Sequence, residues 1–67
     1  MPFLIITKDN CLNCKKAKIL LDDTPYIEIN KNYVSSAILE LGGQNYPIVF
    51  NYLGDYDDLE KYIIHKN

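Results

Sequence analysis

Apolar and β-favouring residues form three short runs along this chain. Residues 3–7 are almost continuously apolar, which is typical of a strand covered on both faces. Residues 26–30 alternate apolar and polar side chains, as in a strand with one partly exposed face. Residues 47–50 form a third such run, and residues 51–54 leave room for a turn into the stub of a fourth strand. The pattern therefore predicts three strands and allows a fourth.

Between and after these strands, apolar residues recur at the spacing of one helical face. The first predicted helix covers residues 14–21, and Pro25 follows it because proline cannot continue a helix. The second ends at Gly42-Gly43, and the third begins around residues 55–58, where aspartates suit the positive end of the helix dipole. The inward-facing residues predicted for the second and third helices are Val34, Ala37, Ile38, Leu41, Leu59, Tyr62 and Ile63.

The elements follow the order β-α-β-α-β-(β)-α, in which the first β-α-β unit forms a parallel crossover. This order predicts an α/β fold with a three- to four-stranded mixed sheet flanked by helices. A chain of 67 residues suffices for one domain with a small core, so residues 1–67 are expected to form a single unit.

Charge and hydropathy exclude two classes of partner. The formal net charge is −2, with lysines and acidic residues interspersed, whereas phosphate binding needs a cationic face. The apolar run at residues 3–6 is too short for a membrane span or for the apolar region of a signal peptide. We therefore expect a cytoplasmic monomer that binds neither nucleic acid nor a membrane, in a compartment that keeps thiols reduced.

Candidate chemistry lies at the junction of the first strand and the first helix. Cys11 and Cys14 stand there as a Cys-x-x-Cys pair, an arrangement typical of a thiol–disulfide redox site. A sulfur just before a helix lies near unpaired N–H groups and the positive dipole end, and Lys8 adds charge. In such motifs the thiol pKa falls from about 8.5 to about 3.5–7.5. We expect Cys11 to attack a disulfide and Cys14 to resolve the mixed disulfide.

Three segments in the same order resemble the glutaredoxin family. Residues 7–21 are similar to its active-site strand, loop and helix, residues 46–50 to its Thr-Val-Pro segment and following strand, and residues 53–59 to the segment that opens its last helix. The resemblance covers nearly the whole chain. It implies a thioredoxin-like fold and reduction of protein disulfides or glutathione mixed disulfides. Glutathione, or another low-molecular-weight thiol, would be the co-substrate, and no bound cofactor or metal is implied.

The resemblance also assigns site residues. Cys11 falls on the family's nucleophile and Cys14 on its resolving cysteine. The positions that it assigns to glutathione binding are Lys8, Asn13, Tyr46, Pro47, Tyr56 and Asp57. Lys8 falls on the lysine that pairs with a glutathione carboxylate, and Pro47 on the family's cis-proline. Tyr46 would offer backbone groups to the glutathione main chain, and the start of the last helix would receive the γ-glutamyl end.

Two other functions are compatible with the same residues. One is a thioredoxin-like electron donor to a specific enzyme such as a ribonucleotide reductase, recharged by a flavoprotein reductase. The other is a module that binds zinc or an iron–sulfur cluster through the Cys-x-x-Cys. A structural zinc site usually needs four ligands, and His65 at the far end of the chain is the one further candidate donor, so such a site would be shared between chains.

Overall fold

The continuously apolar run forms the central strand of the sheet. In the computed structural model, which describes residues 2–66 and the side chains of residues 2–65, β1 (Phe3–Thr7) lies between β2 (Tyr26–Asn30) and β3 (Ile48–Asn51). β2 pairs with β1 in parallel and β3 pairs with it antiparallel, so that Ile5 lies opposite Glu28 and Val49. The predicted mixed sheet is thus confirmed. It has three strands in the described part of the chain, and residues 52–54 form no fourth.

The three predicted helices are present but differ in length. α1 (Leu12–Leu20) begins two residues earlier than expected, and α3 (Tyr56–Lys66) begins where the acidic residues indicated. α2 (Ser36–Leu39) is a single turn, flanked by 3₁₀ turns at Lys31–Tyr33 and Glu40–Gly42. None of the helices in the described residues has the length and apolar character that a membrane span requires.

Local side-chain chemistry explains why α2 is so short. The Asn30 side chain accepts a hydrogen bond from the Asn32 amide at 2.9 Å, a local bond that competes with helix formation. Val34 is β-branched and extended, and Ser35 is extended before the helix begins. Gly43 has a φ of 65°, which ends the segment as the sequence predicted.

The core is small and is centred on β1. Ile5 and Ile6 are fully buried, Ile48 of β3 is 6% exposed, and Thr7 is the buried polar residue at the end of the strand. The Cα radius of gyration is 13.7 Å, whereas a compact chain of this length is expected to have about 11 Å. The chain is therefore less compact than is usual for its length.

The predicted burial of the second and third helices is wrong for most of their apolar residues. Exposure lies between 42% and 73% for Ile38, Leu41, Leu59, Tyr62 and Ile63. Ala37 is also exposed, and Val34 is half-buried. The sheet is itself left partly uncovered, since Ile27 of β2 and Val49 of β3 are 62% and 50% exposed, so these helical faces do not pack closely on it.

A polar link joins α1 to the sheet. The Thr7 hydroxyl donates a hydrogen bond to Glu28 Oε2 at 2.8 Å, and Lys18 Nζ of α1 lies 2.9 Å from the same oxygen. The hydrogen bond from Lys18, and then the one from Thr7, lower the pKa of Glu28 below its ordinary value. This link holds the helix that carries Cys14 against the strand that leads to Cys11.

Candidate active site

The backbone turn before α1 places Cys11 in the candidate site. Asn10 has a φ of 54°, a left-handed conformation that asparagine tolerates better than most residues, and the chain turns there from β1 toward α1. Cys11 is the N-cap of α1, and its Sγ accepts a hydrogen bond from the Cys14 amide at 3.1 Å. The sulfur therefore occupies the place of a helix-capping oxygen, where free N–H groups and the helix dipole favour negative charge.

Cys14 lies one helical turn from Cys11, and the two form a disulfide. Their Cα atoms are 5.3 Å apart, within the range that a disulfide requires. Cys14 is 3% exposed and Cys11 is 8% exposed. Both cysteines are therefore buried, and Cys14 is the more protected of the two.

The loop before β3 supplies the opposite wall of the site. The peptide bond between Tyr46 and Pro47 is cis, as the family resemblance implied. The carbonyl oxygen of Tyr46 lies 3.8 Å from Cys11 Sγ. A residue 35 positions away along the chain is thus brought against the first sulfur.

A polar cleft of about 350 Å³ opens beside Cys11. Its lining consists of Lys8, Asn10, Cys11, Leu12, Asn13, Gln44, Asn45 and Tyr46. The Lys8 ammonium lies 5.4 Å from the centroid of the Tyr46 ring, within the range of a cation–π interaction. Lys8 is the charged member of this lining, so the cleft suits a polar ligand with an anionic group.

The predicted site residues fall into two groups. Lys8, Cys11, Asn13 and Tyr46 line the cleft together, with Cys14 bonded to Cys11 and Pro47 following Tyr46. The other two, at the start of α3, are not among the residues that line it.

The start of α3 is occupied by its own cap. Asp55 Oδ1 accepts hydrogen bonds from the amides of Asp57 and Asp58, at 3.1 and 3.4 Å. Asp58 Oδ2 in turn accepts from the Asp55 amide at 3.2 Å. This reciprocal arrangement is a capping box. The amide of Asp57, where the resemblance placed the γ-glutamyl end of glutathione beside Tyr56, is already hydrogen-bonded within the helix cap.

Four residues of the cleft were not selected from the sequence: Asn10, Leu12, Gln44 and Asn45. The first two adjoin Cys11, and the other two precede Tyr46, so proximity in sequence to the expected site residues was the available signal. In the described part of the chain, no group of three or more His, Cys, Asp and Glu side chains is placed to hold a metal ion. Metal binding shared between chains stays a prediction.

Comparison of the chain with family models, curated proteins and solved structures found no match.

Proposed function

We propose that this chain is a glutaredoxin-like thiol–disulfide oxidoreductase that reduces protein disulfides or glutathione mixed disulfides. One observation carries the proposal: the sulfur of Cys11 caps α1, is bonded to Cys14 and opens onto a polar cleft. A buried disulfide of purely structural use would not need such a cleft. A disulfide between residues three apart also closes too small a loop to add much stability.

Catalysis begins from the reduced protein. The Cys11 thiolate accepts a hydrogen bond from the Cys14 amide and lies at the positive end of α1, so both the bond and the dipole stabilise the anion. It attacks one sulfur of a substrate disulfide through the cleft. A bond forms between Cys11 and that sulfur, the substrate's sulfur–sulfur bond breaks, and the second substrate sulfur leaves as a thiolate that takes a proton from solvent.

Cys14 completes the reaction. Its thiolate attacks Cys11 Sγ, the mixed disulfide breaks, and the remaining substrate half leaves as a thiol after taking up a proton. The net result is that the substrate disulfide gains two electrons and the two cysteines lose two electrons to form their disulfide. The short separation of the two residues makes this second step intramolecular.

Two molecules of glutathione, or of another low-molecular-weight thiol, return the site to its reduced form and become a disulfide themselves. Lys8 at the cleft supplies the positive charge that an anionic thiol would meet. The layout, with a parallel β1-α1-β2 unit, an antiparallel β3 and a closing α3, is compatible with the thioredoxin-like fold that we propose for the chain.

The test is reduction of a glutathionylated peptide by the pre-reduced full chain. We expect turnover by the wild type and loss of turnover in Cys11→Ser. Cys14→Ser should retain part of the activity toward the glutathionylated peptide and lose activity toward an intramolecular protein disulfide, because only the latter needs a resolving thiol. Activity that survives in Cys11→Ser would overturn the proposal.

The cap at the start of α3 favours a second candidate, a thioredoxin-like electron donor recharged by a flavoprotein reductase. Because Asp55 already accepts hydrogen bonds from the amides that a γ-glutamyl group would need, the start of α3 has no free amide there for glutathione, whereas Lys8 lies on the cleft. Turnover of the same protein disulfide with glutathione plus glutathione reductase, measured beside turnover with a thioredoxin reductase, separates the two candidates.

A further inference from the structure

The Tyr46 side chain has a role beyond the backbone contact that the resemblance assigned to it. We propose that its ring is a positioning element, which holds the Lys8 ammonium over the cleft and so makes Cys11 prefer anionic disulfides. This inference rests on the proposed function and names the substrate class of the same site.

The first observation is the placement of the two side chains. Lys8 Nζ lies 5.4 Å from the centroid of the Tyr46 ring, and both residues line the cleft beside Cys11. Lys8 itself is exposed, and among the side chains described its ammonium makes no ion pair. A lysine side chain has four rotatable bonds and loses much freedom when it is fixed. The face of the ring therefore supplies the contact that localises this cation.

The second observation is that one residue contacts both functional groups. The Tyr46 carbonyl oxygen is 3.8 Å from Cys11 Sγ, while its ring is under Lys8. The residue that contacts the sulfur therefore also places a cation on the cleft into which an incoming substrate brings its negative charge.

The third observation concerns the rest of the lining. Apart from Lys8, Cys11 and Tyr46, it consists of amide side chains and one leucine. These amides carry no charge, so discrimination between anionic and neutral substrates depends on where the ammonium lies. An untethered Lys8 would spend most of its time in solvent, where salt screens it.

The experiment compares two disulfide probes, anionic glutathione disulfide and uncharged 2-hydroxyethyl disulfide, with the pre-reduced full chain. The measured quantity is the ratio of the two second-order rate constants. We expect Tyr46→Leu to lower this ratio about two- to fivefold, the range that a surface cation–π interaction corresponds to. Lys8→Met should lower it at least as far, and Lys8→Met/Tyr46→Leu no further than Lys8→Met alone. Tyr46→Phe, which keeps the ring face, should retain the ratio.

Matched controls are Tyr33→Leu and Lys61→Met, which remove an exposed ring and an exposed ammonium away from the cleft and should leave the ratio at the wild-type value. An unchanged ratio in Tyr46→Leu, an additive double variant, or a Tyr46→Phe ratio as low as that of Tyr46→Leu would each overturn the inference. Wild-type protein that reacts with neither probe faster than a free cysteine peptide would instead overturn the proposed function.

A second measurement needs no substitution. Protons on the carbon next to the Lys8 ammonium are expected to resonate upfield of those of the other lysines in the NMR spectrum, because they lie over the face of a ring. Shifts equal to those of the other lysines would overturn the inference even if Tyr46→Leu failed to fold.

Discussion

Lys18 of α1 and Glu28 of β2 are joined by a 2.9 Å contact between Nζ and Oε2. Both side chains are more than one-third exposed, at 39% and 36%. Exposed ion pairs of this kind contribute about 0.2–1 kcal/mol, since water screens them. Here the same carboxylate also accepts a hydrogen bond from the buried Thr7 hydroxyl, so the pair ties α1 to the end of the central strand.

We expect Lys18→Met to lower the free energy of unfolding by about 0.5 kcal/mol at neutral pH. Urea denaturation followed by circular dichroism measures this. Lys16→Met is the matched control, because Lys16 lies on the same helix and, among the described side chains, forms no ion pair. An equal loss in the two variants would mean that helix propensity or total charge, rather than the contact with Glu28, is responsible.

Glu28 should also make stability depend on pH. In the folded protein the pKa of Glu28 lies below its ordinary value of 4.5, chiefly because of the Lys18 hydrogen bond and then because of the Thr7 hydrogen bond. A depressed folded pKa stabilises the fold above the unfolded pKa, and this stability is lost as the pH falls through the folded value. The wild type should therefore lose more stability than Glu28→Gln between pH 6 and pH 3, by less than about 1 kcal/mol because the group is partly exposed. If the free energy of unfolding fell equally with pH in the wild type and in Glu28→Gln, this expectation would be contradicted.

The cap of α3 offers a test of the helix that the sheet covers least. Asp55→Ala removes the acceptor of two amide hydrogen bonds, those of Asp57 and Asp58, and should cost about 1 kcal/mol. Hydrogen exchange of the α3 amides should accelerate in the same variant. Asp57→Asn serves as the control, since it neutralises a carboxylate in the same turn but leaves the Asp55 acceptor in place. A larger effect in the control than in Asp55→Ala would show that charge near the dipole, not the cap, stabilises the helix.

Side-chain packing is concentrated on the central strand, and paired substitutions can show it. Ile5 is fully buried, whereas Ile27 on the neighbouring strand is 62% exposed. Ile5→Val should reduce the free energy of unfolding by about 0.5–1.5 kcal/mol through loss of a buried methylene. Ile27→Val should change it by less than about 0.5 kcal/mol. Thermal or urea unfolding of both variants measures the two changes. Equal losses of unfolding free energy would mean that the two faces of the sheet are covered to the same extent.

The turn that leads into Cys11 depends on a left-handed residue. Asn10 has a φ of 54°, a region that costs other L-residues about 1–2 kcal/mol. Asn10→Ala should therefore be less stable than Asn10→Gly by about 1 kcal/mol, because glycine adopts this conformation freely. Urea unfolding of the two variants measures the difference. If alanine proved as stable as glycine, the backbone at this position would not need the left-handed conformation.

Features that depend on neighbouring residues were predictable. The bounds of β1 and β2 follow from apolar runs between turn residues, and the start of α3 follows from its acidic first turn. The place of Cys11 before a helix has the same origin, because a short polar turn separates an apolar run from a helical pattern. In each case the deciding interactions lie within a few residues of one another.

Features that depend on contacts between distant residues could not be predicted from local patterns. The exposure of Leu59 and Leu41 depends on how closely the helices pack on the sheet, which no local pattern reports. The cleft combines residues from the turn before α1 with Gln44 and Asn45 from the loop before β3.

The sequence by itself determined the order of the elements, the central strand and the two sulfurs at a strand-to-helix junction, because hydrophobic periodicity and turn chemistry act over short distances. The family resemblance placed Lys8, Asn13 and Tyr46 at the first sulfur, and the tertiary structure decided how they lie around it together with Gln44 and Asn45. It brought Tyr46 to Cys11 and Lys8, and it left the start of α3 outside the cleft lining. Those contacts join residues that are far apart in the chain, and their formation depends on how the sheet and its loops pack together.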